Sequence, residues 1–257
     1  MENPVLYKVE NKIGWITLNT PQNHNALSAP LAIALDEILE KAIADSNVRM
    51  LVLSANGRTF CSGADLKGAG GGAVPQPGRD RGPYPSALLR LWQCPKPIIG
   101  RIQGGAYGAG VGLVAICDIA IADESTNFGI TEVRFGVLPA LISNILLRKF
   151  APGKITPLMM TGRRFGMEIA LDMGMVHRTV PADQLDAAVQ EQIEELMLCA
   201  PGAVAEIKRL IRTVPEVGFV EGLAITEKSI AAFFGSEEGQ EGTAAFQAKR
   251  LPKWAEG

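Results

Sequence analysis

Two glycine-rich turns are the parts of this sequence best suited to chemistry. The first is Phe60-Cys61-Ser62-Gly63-Ala64-Asp65-Leu66-Lys67, after the apolar run Met50–Ser54. The second is Gly104-Gly105-Ala106-Tyr107-Gly108-Ala109-Gly110-Val111-Gly112, after Ile98–Ile102. Glycine lets a backbone approach a ligand closely. A helix opening at the second turn and ending near Asp118 would add unpaired N–H groups and a positive dipole end. Two such turns side by side can aim two N–H donors at one oxygen. That is an oxyanion hole, worth roughly 2.7–4 kcal/mol per donor. Taken alone, each turn could be tight helix–sheet packing; the pair is more specific than either. Neither fits a nucleotide site: the glycines are wrongly spaced for a dinucleotide turn, and no Gly-Lys-Ser/Thr ending follows.

The elements that must position these turns follow from periodicity. Val5–Glu10 and Lys12–Asn19 alternate as two strands joined by a turn at Asn11. Ser28 is an N-cap and Pro30 lies in the first turn of a helix. Leu31, Leu35, Ile38 and Ala42 then recur at helical spacing, which predicts a helix over Ala29–Asp45. Met50–Ser54, Pro97–Ile102 and Ile119–Ala122 read as buried strands. Strand, glycine loop and helix alternate to about residue 125, giving an α/β core. Beyond it, Leu138–Phe150, Gly166–Met173, Ala182–Cys199, Gly202–Thr213, Val217–Phe234 and Glu237–Arg250 read as helices. Val176–Val180 is the one strand-like piece among them. Such helices should wrap the sheet or form an oligomer interface. No strong internal repeat is visible, though the two strand–loop–helix segments resemble each other coarsely. The Gly- and Pro-rich stretch Lys67–Pro85 is predicted to be irregular. It is either a surface insertion or a wall over a pocket, with Arg79 and Arg81 available to an anionic group.

Composition excludes several classes. The 257 residues carry 25 Lys plus Arg and 27 Asp plus Glu, a net charge of −2. That balance argues against nucleic acid or an anionic membrane as the main partner. No apolar run reaches the roughly 18 residues of a membrane span, and no secretory pattern opens the chain. Cys61, Cys94, Cys117 and Cys199 form no C-x-x-C pair. They read as reduced thiols of a cytoplasmic protein. With only His24 and His177, a histidine-based metal site or proton relay has little to draw on, and no metal is expected.

Five collinear landmarks carry a resemblance over nearly the whole chain. Phe60–Lys67 looks like the first signature of the enoyl-CoA hydratase/isomerase (crotonase) superfamily. Gly105–Asp118, followed by Phe128-Gly129-Ile130-Thr131-Glu132 and Gly136-Val137-Leu138-Pro139, looks like the second. Asn25-Ala26-Leu27, Thr161–Phe165 and Gly242–Arg250 match further landmarks in order. The resemblance implies a spiral of ββα units over residues 1–195. A C-terminal helical region, 196–257, would build a homotrimer or homohexamer. It implies an acyl-CoA thioester whose carbonyl is held by the backbone N–H groups of Ala64 and Ala109. Gln22, Asn23, His24, Ser62, Asp65 and Leu66 would line the CoA pocket, with Phe246 and Lys249 from the C-terminal helix. Coenzyme A would be part of the substrate, with no separate cofactor.

The resemblance places one catalytic acid at Glu132. The position of the second acid of two-glutamate hydratases falls on Gly112, which has no side chain. A partly buried Glu132, between Phe128 and Val133, would have a raised pKa suited to proton transfer. One glutamate can move a proton between carbons, or serve hydration if another group orients the water; Tyr107 and Asn144 are candidates for that group. The second signature is also similar to methylglutaconyl-CoA and isohexenylglutaconyl-CoA hydratases, whose substrates carry an extra carboxylate. Arg79, Arg81 or Arg134 would meet it. Hydration of a branched or carboxylated enoyl-CoA is the leading expectation. A double-bond isomerase and a decarboxylase are alternatives within the class, and a non-catalytic acyl-CoA binder lies outside it.

Overall fold

The structure, a computed structural model, describes residues 3–65 and 81–256. The chain opens with a hairpin of β1 (Val5–Glu10) and β2 (Ile13–Leu18). Asn11 and Lys12 both have positive φ, the backbone of a two-residue hairpin turn that matches strand twist. Helix α1 (Ala29–Ala44) follows, and Leu31, Leu35, Leu39 and Ala42 are its buried stripe. Leu39 is buried where the periodicity pointed to Ile38.

From there one unit repeats. A strand in a large sheet is followed by a very short strand in a small sheet, then by a helix. The first repeat is β3 (Met50–Ala55), β4 (Thr59–Cys61) and α2 (Pro83–Gln93). The second is β5 (Ile98–Ile102), β6 (Gly105–Tyr107) and α3 (Ala109–Ile116). The third is β7 (Ile119–Asp123), β8 (Asn127–Gly129) and α4 (Ala140–Lys149). Helix α5 (Pro152–Thr161), β9 (Arg164–Phe165), α6 (Met167–Asp172) and β10 (Arg178–Val180) complete this part. The large sheet runs β1-β2-β3-β5-β7-β10 and the small one β4-β6-β8-β9. Apart from the β1–β2 and β8–β9 pairs, all neighbours are parallel. Parallel strands need crossovers, and the helices supply them. The α/β architecture and the ββα repeat agree with what the resemblance implies.

The chain divides into two compact units, Met1–Cys94 with Ile98–Val189, and Pro95–Pro97 with Gln190–Gly257. The buried apolar core lies in the first and includes Leu31, Leu35, Leu51, Leu53, Phe60 and Phe128. α7 (Leu185–Met197) runs on into the second unit, which holds α8 (Pro201–Thr213), α9 (Phe219–Phe234) and α10 (Glu237–Gln247). No helix of the described residues is long and apolar enough to cross a membrane.

Two readings of the sequence need correction. Pro83–Pro85 is not irregular: it is the first turn of α2. First-turn N–H groups have no intrahelical acceptor, so prolines there cost no hydrogen bond. Val176–Val180 is not the one strand of the later chain, because β9 pairs with β8, Phe165 lying opposite Phe128.

The segment joining β2 to α1 is tied down by one buried side chain, Asn25. Its Oδ1 accepts the Thr20 N–H at 2.8 Å, and its Nδ2 donates to Asn56 O at 2.9 Å and Thr59 O at 2.8 Å. Asn25→Ala strands one N–H and two carbonyls. It is expected to cost about 2–3 kcal/mol in urea unfolding. A loss under ~0.5 kcal/mol would show that water replaces the amide.

Candidate active site

The repeat decides which residues meet. β4 and β6 are parallel neighbours, with Cys61 opposite Ala106; β6 and β8 are the next pair, with Tyr107 opposite Gly129. The carboxyl ends of three successive small-sheet strands therefore lie in a row, about 4.8 Å apart. Each ends in a candidate: β4 in Ser62–Asp65, β6 in Gly108 and Ala109, β8 in Ile130–Glu132.

The first turn is held by backbone bonds from Ser62 N–H to His24 O at 3.0 Å and from Leu27 N–H to Gly63 O at 2.8 Å. The second is held from the far side by Gly108 N–H to Gly129 O at 2.8 Å. The two touch at backbone level. A Cβ on Gly63 would lie 2.7 Å from Tyr107 O and 3.5 Å from Ala109 N. Gly108 has φ 51° and caps α3, so Ala109 is its first residue. The N–H of a first helical residue has no acceptor within its helix. The Ala64 and Ala109 turns thus lie side by side, which makes them the candidate pair for an oxyanion hole.

Glu132 opens the short 3-10 turn Glu132–Phe135 just beyond β8. A Cβ on Gly108 would lie 2.9 Å from Glu132 Oε1, so the carboxyl rests against the residue preceding Ala109. Any side chain at 108 would displace it. The other carboxyl oxygen, Oε2, is buried and has no hydrogen-bond partner among the described residues. Burial raises the Glu132 pKa above the ordinary carboxylate value; the residue's own backbone N–H partly offsets this. An acid held near but not by its neighbours is poised to give and take a proton.

Gly112 is not an empty vacancy. A Cβ there would lie 2.4 Å from Ile142 Cγ2 and 3.2 Å from the Tyr84 hydroxyl. Ile142, from α4, is 2% exposed. Tyr84, the second residue of α2, donates to Ala109 O at 3.0 Å. Hydrocarbon and a phenol occupy the approach to this position. The sequence reading missed Tyr84. Its signal was an aromatic residue in the otherwise polar, Pro-flanked end of an apparent loop.

The remaining candidates separate. Gln22 and His24 are exposed and Asn23 is half-buried, on the turn that reaches Ser62. His24 Nδ1 lies 3.3 Å from Thr59 Oγ1. Ser62 and Asp65 are half-buried on the first turn; Leu66 and Arg79 fall outside the described residues. Phe246 and Lys249 belong to the second unit, where both are exposed. Tyr107 faces Arg164, whose guanidinium lies 4.9 Å from its ring centre. Asn144 is exposed and bound to Arg148. Cys61 is buried and its pKa is pushed up to about 12, so it packs as a thiol rather than serving as a nucleophile. His177 accepts the Ala120 N–H at 3.0 Å, which fixes a structural role for the neutral ring. Among the described residues, no cluster of three or more His, Cys, Asp or Glu could hold a metal ion.

Known proteins resemble this chain over nearly its whole length. The family described as enoyl-CoA hydratase/isomerase matches residues 8–257. A carnitinyl-CoA dehydratase of Proteus mirabilis (strain HI4320) is 30% identical over 245 residues, 93% of each chain. A crystal structure assigned to the enoyl-CoA hydratase/isomerase (crotonase) type, from Legionella pneumophila, superposes with a TM-score of 0.90. It shares 34% identity and covers 99% of this chain and 100% of its own. An enoyl-CoA hydratase of Shewanella pealeana superposes with a TM-score of 0.89 at 31% identity, covering 98% and 96%.

Two outcomes follow from the geometry. Gly112→Glu meets Ile142 and is expected to cost about 1–3 kcal/mol in chemical unfolding through overpacking, without raising activity. Full stability would show that the space opens freely. Glu132→Gln should melt higher than wild type at pH 8. A carboxyl whose folded pKa is raised stabilises the protein below its unfolded value of about 4.3, and that contribution is lost as pH rises through the folded value. The difference should vanish near pH 4. A lower melting temperature for the variant at pH 8 would contradict the raised pKa.

Proposed function

The chain belongs to the enoyl-CoA hydratase/isomerase family, and from that premise we propose that it adds water to the double bond of an enoyl-CoA. The supporting observation is the Glu132 carboxyl, resting against Gly108 beside the Ala109 turn with one oxygen unpartnered. In this reading the N–H groups of Ala64 and Ala109 hold the thioester oxygen. Ionised Glu132 takes a proton as a water oxygen bonds to Cβ. The π electrons move to the thioester oxygen as an enolate. Glu132 then returns the proton to Cα, so the elements of one water are added. Coenzyme A is carried by the substrate, and the chemistry asks for no other cofactor. The relative from Proteus mirabilis is named a dehydratase, and loss of water is the same reaction reversed.

A second reading has its own observation. Ile142 crowds the place of a second acid at Gly112, and one carboxyl suffices to move a proton between Cα and Cγ in a double-bond isomerase. The acyl group we propose is branched or carboxylated, as in the hydratases of glutaconyl-type thioesters. Arg81 is exposed, and Arg134, also exposed, donates from Nε to Thr161 O at 3.0 Å. Either arginine would pair with a substrate carboxylate. We also propose assembly as a trimer or hexamer. In the second unit Phe219 is 86% and Phe234 70% exposed, more apolar surface than a single chain usually leaves to water.

Wild type is expected to bleach the conjugated thioester absorbance of 2-enoyl-CoA substrates. Glu132→Gln should cut kcat by about 10²–10⁴-fold while acyl-CoA still binds. Turnover of 3-enoyl but not 2-enoyl substrates would favour the isomerase. Binding without turnover of either would favour a non-catalytic acyl-CoA binder. Sedimentation should give three or six times the 27.4 kDa chain mass, shifted downward by Phe219→Asp with Phe234→Asp. A wild-type monomer at micromolar concentration would overturn the assembly.

A further inference from the structure

A one-glutamate hydratase needs a second group to fix its water, and the structure holds a candidate that the two-glutamate pattern does not contain. We infer that Tyr84 is the water-positioning residue: its hydroxyl oxygen accepts a hydrogen bond from the water that Glu132 deprotonates. The inference rests on the hydratase reading.

Three placements carry it. The Tyr84 hydroxyl lies 3.2 Å from where a Cβ of residue 112 would stand, so it sits beside the position that bears the second acid elsewhere in the family. Glu132 rests against Gly108, four residues earlier. Gly112 N–H points back to Gly108 O at 3.4 Å, so the two positions are one turn apart, with Gly108 as the cap. Tyr84 and Glu132 therefore flank neighbouring backbone positions, and the proposed water would bond at about 2.8 Å to each. The third placement is the bond from Tyr84 to Ala109 O at 3.0 Å. The phenol has one hydrogen, and this bond uses it. What the oxygen offers inward is therefore lone pairs. A water donating one hydrogen to Tyr84 and the other to Glu132 has its own lone pairs free for Cβ.

The surroundings keep the phenol in this state. Burial raises its pKa well above the usual tyrosine value, and Cys61 and Glu132 nearby raise it further, so it stays protonated and tethered to Ala109. Ile142 crowds position 112 as well, its Cγ2 lying 2.4 Å from where a Cβ would stand. The arrangement is a division of labour: Glu132 carries the proton and Tyr84 fixes the nucleophile. It also separates two reactions that share the oxyanion turns. Exchange of an α-proton needs Glu132 and the enolate only. Hydration needs the fixed water as well.

The test compares wild type with Tyr84→Phe, which keeps the ring and removes the oxygen. Hydration of a 2-enoyl-CoA is followed by absorbance. Exchange of the α-protons of a saturated acyl-CoA in deuterated water is followed by mass spectrometry. Tyr84→Phe is expected to lower hydration kcat about 10-fold or more while exchange stays within about threefold and KM hardly moves. Equal losses in both reactions would make Tyr84 a brace for the Ala109 turn and overturn the inference. Undiminished hydration would overturn it too. If wild type exchanges α-protons but hydrates no 2-enoyl-CoA, the hydratase reading itself fails, and the inference falls with it.

Discussion

Parallel pairing of three very short strands is the constraint on which the rest of the site depends. β4, β6 and β8 have three residues each, too few to be stable alone. They exist because each continues a buried strand of the large sheet through a sharp turn, repeat after repeat. Their spacing is fixed by hydrogen bonds, and so is the spacing of what leaves their carboxyl ends. Two backbone turns and one carboxyl are brought together without any side-chain contact having to select them. This is the general logic of parallel sheets, where ligands sit beyond the strand ends. Here the large sheet supplies burial and the small one positions the candidate site.

The electrostatics follow from the same layout. Helix α3 begins at Ala109, so its positive end and unpaired N–H groups face the place where negative charge would develop. Glu132 is half-buried and one of its oxygens is left without a partner, which disfavours its charge in the resting protein. The protein thus carries a destabilising group where the proposed chemistry needs it. Gly112 has no open space for a side chain. Ile142 and Tyr84 stand where one would enter, so the fold as it is accommodates one carboxyl here, Glu132.

Much of this was legible in the sequence, and the limits have physical causes. The hairpin at Asn11, helix α1 and the large-sheet strands followed from alternation and caps, because local pattern determines them. The glycine turns were legible as sites of close approach. That they touch was not, since the Gly63–Tyr107 contact spans more than forty residues and depends on a sheet of three-residue strands. Glu132 was legible only through resemblance; nothing local distinguishes it from a surface acid. Tyr84 was hidden because prolines on both sides read as loop, although a first helical turn accepts them. Helix α5 was missed for a related reason: Pro157 lies inside it.

The central claim is that the strand ends of three successive repeats form one thioester site. A crystal structure with a saturated acyl-CoA tests this most directly. The account predicts the thioester oxygen at 2.7–3.1 Å, within about 0.2 Å, from the backbone nitrogens of both Ala64 and Ala109, with the Glu132 carboxyl facing Cα. A thioester bound elsewhere, or one touching only one of the two nitrogens with Glu132 turned away, would contradict it.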